Sequence, residues 1–230
     1  MTVRNIRFRQ SVIRTVLGLA AVSGLAMQPV ESAFAKVVEV SMTAVETKLV
    51  IDGEGHTYDA WTFNGQFPGP VIRVQEGDEV VFSLTNPETN GRPHSMDFHA
   101  AETNFLGHYK EVRPGESLQY RFKAKWPGIF AYHCGASPMI QHIARGMMGA
   151  IIVDPKDPKA LPKADREYVL VQSELFKDPD DVDGMFDRKY QHVVFNGSVF
   201  RYDPVHSKAG GDFLDAKPGE RVRLDRKSTR

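Results

Sequence analysis

Apolar and polar residues alternate with a period of two through residues 36–48, the pattern of a strand that buries one face. Residues 57–63 repeat the pattern and end on Asn64-Gly65, a dipeptide suited to the positive φ angles of a tight hairpin turn. Further short apolar stretches at 71–74, 79–85, 95–101, 118–124, 129–133 and 149–153 are separated by Gly- and Pro-rich punctuation. Closely spaced short strands with such turns predict an all-β chain built as a Greek-key β-sandwich. Only residues 138–145 have room for a helical turn.

A polar, Pro-rich run at 156–165 then predicts a linker between a first domain at 36–155 and a second at 166–230. Phe63-Asn64-Gly65 recurs beyond it as Phe195-Asn196-Gly197, and Gly77-Asp78-Glu79-Val80 recurs as Gly219-Glu220-Arg221-Val222. Two echoes in the same order predict a duplicated fold. Far fewer residues follow Gly219 than separate Gly77 from Val153, and residues 225–230 are polar where 80–84 are apolar. The second copy therefore reads as incomplete, as in a truncated or frameshifted sequence.

Composition narrows the function. Lys+Arg and Asp+Glu both number 29, so nothing in the net charge points to nucleic acid or an anionic membrane. Residues 1–35 read as a signal peptide: Arg4, Arg7, Arg9 and Arg14 precede a short apolar core at 16–27, and Ala33-Phe34-Ala35 is a small-x-small cleavage site. That core is too short to span a bilayer comfortably, so export to a periplasm and no membrane attachment after cleavage are expected. Cys134 is the only cysteine, which leaves no intrachain disulfide in an oxidising compartment.

Cys134 follows His133, and His142 and Met147 lie just beyond. Thiolate, imidazole and thioether together form the donor set of a blue-copper centre, and His94 offers the second imidazole. Asp97 and His99 have no place in that site and suggest a second metal. Strand parity separates the two sets. His133 and Cys134 are adjacent and face opposite ways if extended, His94 and His99 differ by an odd number, and Asp97 and His99 by two. The simplest partition places Cys134 with His94, and His133 with His99 and Asp97.

His94-Ser-Met-Asp97-Phe-His99, Tyr132-His133-Cys134, His142, Gly146-Met147 and the flanking 63–70 stretch resemble the motifs of the copper-containing nitrite reductases, over residues 36–224. The resemblance implies tandem cupredoxin-like sandwiches, a periplasmic homotrimer, denitrification chemistry, and one-electron reduction of nitrite to nitric oxide. It implies a type 1 copper on His94, Cys134, His142 and Met147, fed by a small electron-donor protein, a cupredoxin or cytochrome c. It implies a type 2 copper on His99 and His133, with Asp97 either relaying a proton or orienting a ligating imidazole. The family's third type 2 histidine comes from the second domain of a neighbouring subunit, and neither His192 nor His206 matches it. Two other classes compete. A type 1 electron carrier has no use for His99 or Asp97, and a laccase-like oxidase needs His-x-His pairs that the sequence lacks. Trp61 and Trp126 read as packing residues, the acidic stretch 178–187 as a solvated face or a donor-docking surface, and His56 and His108 as surface histidines.

Overall fold

The structure, a computed structural model, describes residues 35–102, 110–206 and 213–228. The expected export signal, apart from Ala35, and His108 lie outside them. The first half comprises β1 (Val37–Val50), β2 (Thr57–Phe63), β3 (Ile72–Gln75), β4 (Glu79–Thr85), β5 (Asp97–Phe98), β6 (Ser117–Lys123), β7 (Gly128–His133), α1 (Met139–Ala144) and β8 (Met148–Asp154). There follow β9 (Arg166–Phe176), α2 (Val182–Phe186), β10 (Tyr190–Phe195) and β11 (Val222–Ser228). Residues 156–165 form neither strand nor helix.

Two four-stranded sheets, ordered β2-β1-β4-β6 and β3-β8-β7-β5, make a sandwich. Between them lie Phe63, Phe82, Leu84, Phe98, Tyr132, Ile151 and Val153, each at most 1% exposed. Phe82 meets Phe98 edge-on at 5.0 Å between ring centres, a favoured aromatic geometry. Truncating such a buried ring to alanine costs about 3–5 kcal/mol. Tyr132 pairs in register with Gly149, where an added Cβ would fall 2.3 Å from the tyrosine ring. Its hydroxyl donates to the Pro70 carbonyl at 2.6 Å, so the residue just before His133 is locked in place.

The sequence echo is an echo of backbone. β1 pairs antiparallel with β2 and parallel with β4, and β9 pairs in the same two ways with β10 and β11. Both Asn-Gly pairs take positive φ, 56° and 71° at Asn64-Gly65 and 49° and 77° at Asn196-Gly197. Each asparagine also repeats its hydrogen bonds: Asn64 Oδ1 accepts from the Thr43 N–H at 2.7 Å, and Asn196 Oδ1 from the Val171 N–H at 2.8 Å. The sheet β10-β9-β11 packs on the sandwich through Val171 against Met148 and Ala150. A second apolar cluster joins Leu175 and Val194 to Ile51, Tyr58 and Ala60.

The strand expected at 95–101 contracts to Asp97–Phe98. Just before it, His94 exchanges both backbone hydrogen bonds with Val112, at 3.0 and 2.7 Å, whereas Phe98 pairs with Tyr132. The segment crosses between two pairing partners, which leaves only two residues in register with β7.

Candidate metal centres

β7 ends on His133, and the two residues at its end face different surroundings. Cys134 is fully buried inside the sandwich, its N–H donating to the Met147 carbonyl at 2.9 Å. Its sulfur lies 3.2 Å from His142 Nδ1, which lies 3.3 Å from His94 Nδ1. His94 and His142 are 0% and 2% exposed. Met147 is fully buried in the same core cluster as Cys134, whereas Met148 packs in the separate cluster with Val171 and Met139 is 47% exposed. α1 carries His142, and Gly146 (φ 113°) turns the chain back so that Met147 follows at once. A side chain at 146 would be strained there and would also crowd the Phe67 ring.

His133 turns the other way. Asp97 is its direct partner across the β5–β7 pair. His133 Nδ1 lies 3.0 Å from the Cys134 carbonyl oxygen, a contact in which the ring donates and Nε2 keeps its lone pair. That Nε2 is 3.0 Å from His99 Nε2, with Asp97 Oδ2 3.6 Å from the first and 3.5 Å from the second. Asp97 and His133 are 6% and 9% exposed, while the His99 side chain is half open to solvent. Parity therefore divides His94 and Cys134 from Asp97, His99 and His133 as the fold does, and His142 joins the first group. Among the described residues no third histidine joins His99 and His133. His192 and His206 line a different cavity of about 620 Å³ together with His56.

Two parts of the site carry no signal in the sequence pattern. Trp61 is not simple packing: its ring sits 4.7 Å from that of His142 and 5.9 Å from that of His94. Glu46 Oε1 lies 3.4 Å from His94 Nε2, off hydrogen-bond alignment, so this buried nitrogen has no hydrogen-bond partner among the described residues. Glu46 instead accepts the N–H groups of Gly91 and Arg92, both at 3.0 Å, and so holds the loop that delivers His94.

Burial governs the electrostatics. It pushes the Cys134 thiol up to about 11, against the N–H groups of Ser95 and Ala136 that point at the sulfur. It pushes His142 down to about 3, helped by His94 and by the Arg92 and Arg145 charges, and it pulls His94 down against the attraction of Glu46. Both imidazoles thus stay neutral and available as donors. The metal-free protein should show this in its stability. Below the ordinary histidine value of 6.5 the unfolded chain takes up a proton that folded His142 refuses. The stabilisation is complete above pH 6.5 and is lost as pH falls towards 3, at about 1.4 kcal/mol per unit from this residue. Urea unfolding at pH 5 should give a stability about 2 kcal/mol lower than at pH 7.5, and His142→Asn should flatten that slope.

Residues 44–158 match a protein-family model described as multicopper oxidase. The copper-containing nitrite reductase of Neisseria gonorrhoeae is 39% identical over 197 residues, covering 81% of this chain and 48% of that protein. The Pseudomonas chlororaphis enzyme is 39% identical over 213 residues, covering 81% and 56%. The solved copper nitrite reductase of Nitrosomonas europaea is 55% identical and superposes with a TM-score of 0.81, over 84% of this chain and 68% of that one. This chain belongs to the copper-containing nitrite reductase family. It spans about half the length of the curated relatives it matches.

Membership in the copper nitrite reductase family implies copper, and the residues present fit it. A buried thiol and two neutral imidazoles with facing Nδ1 atoms, with Met147 buried in the same core cluster, offer donors of the kind that would hold copper. In the second group two imidazole Nε2 atoms and a carboxylate oxygen converge at a half-open edge, which leaves a face for a small ligand.

Proposed function

We propose that this chain carries a type 1 copper on His94, Cys134, His142 and Met147, and two ligands, His99 and His133, of a type 2 copper where nitrite is reduced. The observation that carries the reading is the His133–Cys134 peptide bond, which places one side chain in each donor set. These two residues offer a short covalent path for one electron at a time. Bound copper supplies the one-electron redox chemistry, in which nitrite takes up one electron and two protons to give nitric oxide and water. Asp97 stands between the two imidazoles, at 3.5 and 3.6 Å, where it takes up and returns a proton at Oδ2. A type 1 electron carrier would have no use for Asp97 or His99.

The family resemblance supplies the rest of this reading. A third imidazole comes from a neighbouring subunit of a homotrimer, and the chain is exported to a periplasm, where its lone cysteine serves a metal. Met139 stands exposed at the start of the helix that carries His142, beside an apolar cavity of about 410 Å³ lined also by Ile143, Phe176, Met185 and Phe186. We assign this surface to the small redox protein that delivers electrons.

Copper per chain and the visible spectrum of the copper-loaded protein test the proposal, with nitric oxide formation from nitrite followed alongside. One copper with a strong thiolate band is expected, and a second copper accompanied by nitric oxide wherever a third imidazole completes the type 2 site. A copper-loaded protein with no thiolate band would overturn the reading.

A further inference from the structure

Arg145 follows α1 directly and is only 6% exposed. Its guanidinium carbon sits 4.5 Å from the centre of the Trp61 ring, which in turn lies 4.7 Å from the His142 ring. The edges of the guanidinium are held by two separate segments. Nη1 donates to the Asp59 carbonyl on β2 at 3.1 Å. Nε donates to the Pro179 carbonyl at 3.2 Å, and Nη2 to Asp180 Oδ1 at 2.5 Å. Gln141, next to His142 on α1, donates to the same Pro179 and Asp180 oxygens at 3.1 and 2.9 Å. The acidic stretch expected to be a solvated face is thus anchored through Asp180 to the loop that carries a metal ligand.

We propose that Arg145, clasped by Asp180 and packed over the Trp61 ring, is a positioning residue of the first metal centre that also sets its electron affinity. The inference rests on the assignment of type 1 copper to His94, Cys134, His142 and Met147. An oxidised site carries one more positive charge than a reduced one, so a fixed cation close by favours the reduced form. Arg145 is buried, where charges act through a low effective dielectric. Arg92 also approaches Trp61, at 5.9 Å, but it is exposed and screened by solvent. Asp180 opposes the Arg145 charge with a carboxylate whose side chain is 68% exposed, so the clasp also tempers the field. Only arginine satisfies both demands, a planar face for the indole and a fork for three oxygens.

A redox titration of the copper-loaded protein, followed at the thiolate–copper band with each site taking one electron from the titrant, separates charge from mere structure. Arg145→Gln removes the cation and should favour the oxidised site. Asp180→Asn keeps an acceptor oxygen but removes the opposing charge, and should favour the reduced site. Each shift is expected to be about threefold in the reduced-to-oxidised ratio, which is ~28 mV for a one-electron couple. Arg145→Lys keeps the charge and should hold the potential nearer to wild type than Arg145→Gln does. A site that is only loosened would move the same way in both charge-removing variants, and that result overturns the proposal. Should Arg145→Gln not fold, the exposed position of Asp180 keeps the test open, since an unchanged potential in Asp180→Asn also overturns it. A wild-type protein that loads copper without a thiolate band overturns the type 1 assignment, and this proposal falls with it.

Discussion

Replacing Cys134 with serine should abolish the visible thiolate band and lower the copper content by one per chain, while the fold survives. Cys134 is the one donor of the first group that can bring a negative charge, and it does so only as a thiolate. Burial holds its thiol near 11, so the metal-free protein carries a neutral Cys134 at neutral pH and metal uptake must release its proton. A serine hydroxyl ionises far less readily and gives a hard oxygen donor in place of a soft sulfur. What remains is two imidazoles and a thioether with no charge to offset that of the metal. The cost to folding is modest by comparison. The Ser95 N–H, 3.3 Å from the sulfur, can point at the new oxygen, so burying a hydroxyl here costs about 1–2 kcal/mol. Metal analysis and the visible spectrum, with circular dichroism as the check on folding, decide the matter. A surviving band in Cys134→Ser would remove the cysteine from the site.

Much of this site was legible because strand periodicity is a strong geometric constraint. The bounds of β2 and β4 coincide with the stretches read as strands, and α1 lies within the window left open for a helical turn, whereas α2 forms outside that window, in the acidic stretch, where the Asp181 side chain caps it by accepting the Gly184 N–H. Neighbouring His133 and Cys134 had to face opposite ways, and parity alone then divided His94 from His99. Trp61 was not legible. It precedes His142 by 81 positions, and the two rings meet only because β2 and the α1 loop pack together, which alternation along one strand does not encode. Glu46 and Asp180 escaped for a related reason. A carboxylate that organises a loop from a distance has the same local pattern as one on a solvated face. The contraction of β5 to two residues follows from the backbone pairing of His94 with Val112, a choice of partner that residue types do not reveal.

Replacing His99 with alanine should leave the thiolate band intact and reduce nitrite turnover by about a thousandfold or more, the several kcal/mol that a metal centre contributes to such a step. His99 Nε2 is one of two imidazole nitrogens that face each other at 3.0 Å, and its loss leaves His133 with Asp97 alone. One imidazole and a carboxylate are too few donors to hold copper against water. The first group should not notice the change. Cys134 and His142 lie on the buried side of the β7 terminus, and His94 reaches them from the segment paired with Val112. Stability should stay within about 1 kcal/mol of wild type, because the His99 side chain is half exposed and supports little packing. Nitric oxide formation and copper per chain, measured in the nitrite-reducing assembly beside the wild type, give the result. Loss of both the second copper and turnover, with the band unchanged, separates a reductase from an electron carrier. Turnover that survives the substitution places nitrite reduction somewhere other than the pocket between Asp97, His99 and His133.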